Sequence, residues 1–189
     1  SVFGARYRAI LARSGIDLRL RPTAGAVENL TRLRDAASGV SVAFSQAGTA
    51  TAEDADALAS LGTVFYEPLW LFHRGLDVSR AYAALRGRRV AVGPEGSGTR
   101  ALALPTLSLG GIDSRSRDLL PLGPGEAAER LVRGEIDAAA IVTSWESPVV
   151  RQLLATPGIE LASFPRADAH LALNPYLNKL VLPAGVGDL

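Results

Sequence analysis

The sequence contains no cysteine among its 189 residues. Disulfide bonds, thiolate nucleophiles and cysteine-ligated metal centres are therefore excluded. It also lacks any run of about 18 apolar residues, so it predicts no membrane-spanning helix. The formal net charge of only +1 gives no strong attraction to nucleic acid or to an anionic membrane surface. What remains is a chain with 48% hydrophobic residues, which is enough to bury the core of one domain or of two small lobes.

Segments with the two-residue period of strands alternate with segments that have the period of helices. The stretch "IDLRLRP" alternates apolar and charged residues, whereas "GEAAERLVRGE" places Ala128, Leu131 and Val132 on one helical face. Such alternation predicts parallel strands joined by crossover helices, which is an α/β fold. The predicted helices cover 3–12, 26–36, 51–61, 99–111, 125–135 and 147–158, and the predicted strands cover 16–22, 39–48, 62–74, 88–93, 119–123, 136–142, 159–165 and 179–186.

A glycine-rich loop follows the strand predicted at 88–93, in the stretch "VAVGPEGSGTRALA". Its glycines, Gly98 among them, lack Cβ atoms, so backbone N–H groups can approach an oxyanion closely. Ser97 and Thr99 add hydroxyl donors, and Arg100 can make a bidentate contact to a carboxylate or phosphate. The next helix begins near Thr99, where the helix dipole favours an anion. The loop therefore predicts an anion site, with a plain strand-to-helix turn as the alternative.

The loop matches neither of the common nucleotide-binding patterns. A P-loop needs a lysine followed by a hydroxyl residue after its last glycine, and the dinucleotide-binding spacing of glycines is also absent. Nor does the sequence contain a nucleophile elbow or histidines at metal-ligand spacing. His73 and His170 are interpreted as structural or surface residues. The sequence thus predicts a protein that is not an enzyme and uses neither a metal nor a cofactor.

Further polar residues stand at the ends of the other predicted strands. Ligands of open parallel sheets gather at the carboxyl ends of the strands, so these residues are expected to line one cleft between two lobes. Trp145 is either a stacking wall of that cleft or a core residue. Hydroxyls, an amide and backbone N–H groups are supplied there by Thr23 and Gly25, Ser45 and Gln46, and Thr143 and Ser144.

Six stretches, in this order, resemble the TAXI family, the extracytoplasmic solute receptors of TRAP transporters. They are "TAGAVENLTRL", "VSVAFSQAG", "FYEPLWLFHR", "VAVGPEGSGTRALA", "GEIDAAAIV" and "NKLVLPAGVGDL". The resemblance implies a type II periplasmic binding protein fold, in which two α/β lobes enclose a small ligand. It implies a small carboxylate ligand, such as glutamate or another organic acid, that is delivered to a TRAP membrane permease. The site residues that it implies, together with the residues already discussed, are Thr23, Gly25, Ser45, Gln46, Tyr66, Glu67, Ser97, Gly98, Thr99, Arg100, Ser144 and Trp145.

The sequence pattern also predicts how the chain is divided. The least helical stretch, from Arg74 to Arg89, is interpreted as the boundary between the lobes. Residues 1–87 are then the first lobe with a hinge strand, residues 88–165 the second lobe, and residues 166–189 a return crossover. Members of the family have a strand before the first helix and continue past "LPAGVGDL", so the first lobe is expected to lack segments at both chain ends. The expected location is periplasmic or otherwise extracytoplasmic.

Two other functions are compatible with this architecture. A phosphoribosyltransferase-like enzyme would bind a phosphate ester at the loop and would need acidic residues for magnesium, for which the loop offers Glu95. An effector-binding domain of a transcription regulator would need a separate DNA-binding segment.

Overall fold

The computed structural model describes residues 2–78, 82–164, 167–183 and 185. The helices are α1 (Val2–Ala12), α2 (Ala26–Arg34), α3 (Ala52–Ala57), α4 (Gly98–Ser108), α5 (Pro124–Val132), α6 (Pro148–Leu154) and α7 (Ala167–Leu173), with 3-10 turns at Ala36–Ser38 and Tyr82–Leu85. The strands are β1 (Leu69–His73), β2 (Val90–Ala91), β3 (Leu119–Leu120), β4 (Ala138–Val142) and β5 (Glu160–Leu161). None of the described helices is long and apolar enough to cross a membrane.

The five strands form one mixed sheet in the order β3-β2-β4-β1-β5. Strand β2 pairs in parallel with β3 and β4, and α4, α5 and α6 connect β2, β3, β4 and β5 in turn. Parallel pairing through crossover helices is thus confirmed for this part. It is wrong for β1, which runs antiparallel between β4 and β5. Strand β1 precedes the first of these crossover helices, and it runs opposite to the strands that they connect.

Two buried clusters pack on the opposite faces of this sheet. Because successive side chains of a strand point to opposite faces, Leu71 joins one cluster while Trp70 and Phe72 join the other. The first cluster includes Leu107 from α4. The second includes Leu131 from α5, in agreement with the apolar face predicted for that helix, together with buried residues of α6. The core of the described chain therefore lies around the sheet.

The segment before β1 has little core of its own. Among its described residues, the buried hydrophobic ones are Ala26 and Leu30. The strands predicted at 16–22 and 39–48 are wrong, since the chain there is irregular or turned and forms no strand. A strand needs a hydrogen-bonded neighbour, and among the described residues neither segment has one. Apolar side chains such as Val42 consequently remain exposed.

The chain after β5 also departs from the prediction. Helix α7 was not predicted, and it contacts the body of the fold through His170, whose ring meets the Tyr82 ring edge-on at 5.7 Å. The strand predicted at 179–186 is absent over 179–183, while residues 184 and 186 lie outside the described residues. The division of the chain at residues 87 and 165 stays a prediction, and β1, which it assigns to the first lobe as a hinge, pairs within the sheet of the second.

Candidate functional site

The glycine loop joins β2 to α4 as a tight turn that excludes larger residues. Gly93 has a φ of 84°, and a Cβ at this position would lie 2.7 Å from both Ser97 Oγ and Thr99 Cβ. Real Cβ atoms do not approach so closely, so this position requires glycine on two grounds. The Ser97 hydroxyl donates to the carbonyl of Pro94 at 2.7 Å and accepts the backbone N–H of Arg100 at 3.2 Å. Ser97 is thus the N-cap of α4 and fixes where the helix begins.

Thr99 and Arg100 differ in whether the polar atoms of their side chains have hydrogen-bond partners. Thr99 is buried, and its Oγ1 accepts the backbone N–H of Val142 at 3.0 Å. The guanidinium of Arg100 contacts Glu95 through Nη2 at 3.2 Å, but the Glu95 side chain is 85% exposed. Nη1 of Arg100 is buried and has no hydrogen-bond partner among the described residues. A buried donor without an acceptor is unusual in a folded protein, and it leaves this cation able to bind an anion.

The segment before β1 meets the loop directly. A Cβ at Gly25, where φ is 151°, would lie 3.0 Å from the carbonyl oxygen of Gly96 and from Ser97 Cα. The carboxamide of Gln46 covers Gly98, in the space that any other residue at position 98 would fill with its Cβ. These two contacts bring residues predicted at separate strand ends to one place. They do so although the strands predicted before them do not form.

Asn29 is a residue of this region that the sequence analysis did not single out. It accepts the Thr23 hydroxyl at 2.6 Å and donates to the carbonyl of Phe44 at 2.8 Å. It therefore links the turn before α2 to the segment that carries Gln46. The neighbouring Glu28 accepts the N–H of Ala24 at 2.7 Å, and this bond, followed by the one from Arg32, lowers the pKa of the Glu28 carboxyl. The sequence signal that could have identified Asn29 is the "EN" pair in "TAGAVEN", which lies in one of the stretches that resemble the TAXI family.

Of the remaining candidates, Glu67 contacts this centre, whereas no contact joins Ser45, Tyr66 or Ser144 to the loop among the described residues. Glu67 accepts a hydrogen bond from Gln46 Nε2 at 2.7 Å. Ser45 is exposed and lies 3.1 Å from the Thr49 hydroxyl, and Tyr66 is 59% exposed. The backbone carbonyl of Ser144 accepts the backbone N–H of Ser147 in the turn before α6.

Trp145 packs against a core residue. Its ring lies 5.9 Å from that of Trp70, at an angle of 41°. The indole N–H of Trp70 in turn donates to the carbonyl of Thr143 at 3.0 Å. These contacts support the core alternative for Trp145. In the parts of the chain that the structure describes, no group of three or more His, Asp or Glu side chains could hold a metal ion.

The family profile described as NMT1-like matches residues 6–188 of this chain. Among solved structures, an ancestral arginine-binding protein bound to arginine superposes with a TM-score of 0.57 at 15% identity, over 90% of this chain and 76% of that one. The alkanesulfonate-binding protein SsuA from Xanthomonas axonopodis pv. citri bound to MOPS gives a TM-score of 0.56 at 21% identity, over 88% and 57%. The periplasmic aliphatic sulphonate binding protein SsuA from Escherichia coli is 24% identical over 50% of this chain and 33% of that one, with a TM-score of 0.41.

The superpositions with TM-scores above 0.5 show the fold. They confirm the predicted α/β architecture of the two-lobed periplasmic binding proteins. This chain spans about one third of the Escherichia coli protein and 57% of the Xanthomonas protein. The narrower assignment to the TAXI family stays a prediction.

Proposed function

We propose that this chain, which belongs to the NMT1-like family, is the solute-binding part of an extracytoplasmic receptor and holds the acidic group of a small organic molecule at the glycine loop. The observation that carries the proposal is the guanidinium of Arg100 in the first turn of α4. Its Nη1 is buried and has no hydrogen-bond partner within the described part of the chain. An anion placed there would gain charge-assisted hydrogen bonds from the side chain. It would also be stabilised by the positive end of the helix dipole.

The contacts around the loop support this proposal further. The first N–H groups of a helix have no intrahelical acceptor, and Ser97 satisfies only the one belonging to Arg100. The Glu95 carboxylate partly balances the charge of Arg100, but it is exposed and therefore screened by water. A bound acid can compete with such a partner because an exposed ion pair contributes little free energy.

The finer proposal follows from the resemblance to TAXI receptors. The ligand would be a carboxylate such as glutamate or another organic acid, enclosed between a lobe of residues 1–87 and a lobe of residues 88–165. Residues 166–189 would return to the first lobe. The receptor would act outside the cytoplasm and deliver its ligand to a TRAP membrane permease. The proteins with similar folds carry arginine and MOPS, so the acid need not be a carboxylate, and a sulfonate belongs in the test.

The test is a calorimetric titration with L-glutamate, 2-oxoglutarate, succinate, methanesulfonate and L-arginine. Arg100→Ala is expected to lose about 1.5–3 kcal/mol of binding free energy, or one to two decades of affinity, for the acid that binds. The matched control is Arg130→Ala, which removes an arginine paired to Glu126 at 2.7 Å on α5 and should leave affinity unchanged. Equal binding by the wild type and Arg100→Ala, or no binding of any acid, would overturn the proposal.

Magnesium separates the receptor from the enzyme alternative. A phosphoribosyltransferase-like site would bind a phosphate ester in a magnesium-dependent way. The titrations are therefore repeated with 5-phosphoribosyl diphosphate, with and without magnesium. Binding of the organic acid that does not change with magnesium supports the receptor.

A further inference from the structure

The Gln46 carboxamide packs against the first turn of α4, the turn that carries Arg100. It covers Gly98, the first residue of α4. Gly93 and Gly96 have a left-handed φ, whereas Gly98 does not. A glycine at position 98 is therefore required by the close approach of the Gln46 side chain and not by backbone conformation.

One hydrogen bond holds the carboxamide in this position. Gln46 Nε2 donates to Glu67 Oε2 at 2.7 Å, across 21 residues of sequence. The other end of the carboxamide is not satisfied, because Oε1 is buried and has no hydrogen-bond partner among the described residues. A buried acceptor without a donor is destabilising compared with the same group in water. The bond to Glu67 thus stabilises this position of the carboxamide, whereas the unsatisfied Oε1 destabilises it.

Gly25 closes the same side of the loop. Its backbone packs against Gly96 and Ser97 so closely that a Cβ would lie 3.0 Å from both. Together, Gly25 and Gln46 cover the start of α4 with the chain's own atoms. A small acid that approaches the first turn of α4 from the side of Gly98 meets the carboxamide first.

We propose that Gln46 is an internal competitor for the ligand, held over Gly98 by Glu67 in the empty protein and displaced when an acid binds. The inference rests on the proposed function of the glycine loop. The amide carbonyl resembles one half of a carboxylate in shape, so it fills the space of an acid without carrying its charge. Displacement frees Oε1 to accept hydrogen bonds from water and leaves Glu67 exposed to solvent. The apparent affinity for the acid is then the intrinsic affinity reduced by the fraction of molecules in which the carboxamide has moved away.

Two substitutions remove the competitor in different ways. Gln46→Ala deletes the carboxamide, and Glu67→Gln weakens the bond that holds it. If the covered state accounts for about nine molecules in ten, each variant should bind the acid up to about 10-fold more tightly. The double variant should gain little beyond Gln46→Ala, because both changes remove the same interaction. The matched control Gln152→Ala removes an exposed glutamine from α6 and should leave affinity unchanged.

The measurement is calorimetric titration with L-glutamate and methanesulfonate. Tighter binding by Gln46→Ala than by the wild type supports the inference. Weaker or equal binding by Gln46→Ala overturns it, since Gln46 would then be a ligand contact or irrelevant. If neither protein binds any acid of the panel, the proposed function fails and the inference fails with it.

Discussion

The buried hydroxyl of Thr99 accepts a hydrogen bond from the backbone N–H of Val142 at 3.0 Å. Thr99 is in the first turn of α4, and Val142 is the last residue of β4. The bond therefore fixes the start of the helix to the end of the neighbouring strand. It explains why the loop needs a threonine even before any ligand is considered.

Thr99→Val should destabilise the fold by about 1–3 kcal/mol. Valine preserves the shape of threonine but leaves the N–H of Val142 buried without an acceptor. Urea unfolding followed by circular dichroism measures the change. Thr99→Ser keeps the hydroxyl and should recover most of the loss, whereas a Thr99→Ser variant as unstable as Thr99→Val would show that the methyl group is what matters.

Gly93→Ala should destabilise the protein by more than about 2 kcal/mol. The new Cβ would clash with Ser97 and Thr99, and the left-handed backbone is itself unfavourable for alanine. The matched control is Gly125→Ala in α5, where a Cβ would meet no atom within 4 Å. That variant should be neutral or more stable by up to about 1 kcal/mol, because alanine favours the helix. Thermal unfolding of both variants is the measurement, and Gly93→Ala should have the lower melting temperature. Equal melting temperatures would contradict the geometry of the loop.

His73 should make the protein less stable as the pH falls. Burial lowers the pKa of its imidazole, although Glu160, opposite it in β5, and Asp77 oppose the shift. The folded state therefore binds this proton less readily than the unfolded state, whose histidines titrate near 6.5. Stability contributed by neutral His73 is present above that pH and is lost as the pH falls through 6.5 toward the lower folded value.

The measurement is the free energy of unfolding between pH 5 and 7.5, above the range in which most carboxylates titrate. His73→Phe, an apolar substitution at a buried position, should show a shallower slope than the wild type. His170, whose pKa burial also lowers, is present in both proteins, so the difference in slope belongs to His73. Identical slopes would show that His73 does not contribute.

Leu131→Ala should cost about 2–5 kcal/mol of unfolding free energy. Leu131 is fully buried between α5 and the sheet, so its truncation leaves a cavity as well as losing apolar burial. Leu61→Ala is the matched control, since Leu61 is 89% exposed and its truncation should change stability by less than about 0.5 kcal/mol. Chemical denaturation of the two variants side by side tests whether the core lies around the sheet.

Sequence patterns predicted the helices better than the strands, and the reason is physical. Helix α5 is specified by neighbours three and four residues apart, and α3 by the bond from the Thr51 N–H to Asp54 at its start. A strand is specified only when a partner pairs with it. The alternating residues 16–22 therefore predicted a strand that does not form. The apolar run 136–142 also predicted a strand, and β4 forms within it at Ala138–Val142.

The candidate site was predicted in part. The cap formed by Ser97 and the tight turn at Gly93 follow from local sequence. The contact of Gln46 with Gly98 and its bond to Glu67 join distant segments, and no local pattern indicates which distant side chain will cover a glycine. The sequence therefore identified the loop but not its internal occupant.

The antiparallel position of β1 at the interior of the sheet has a consequence for synthesis of the chain. Residues 69–73 emerge from the ribosome early, but their partners in β4 lie about 70 residues later. Until β4 and β5 have been made, the apolar run "LWLF" has no neighbours to pair with and is exposed to other chains and to holding chaperones. The antiparallel pairing of β1 therefore makes the burial of this segment depend on residues that follow it by about 70 positions.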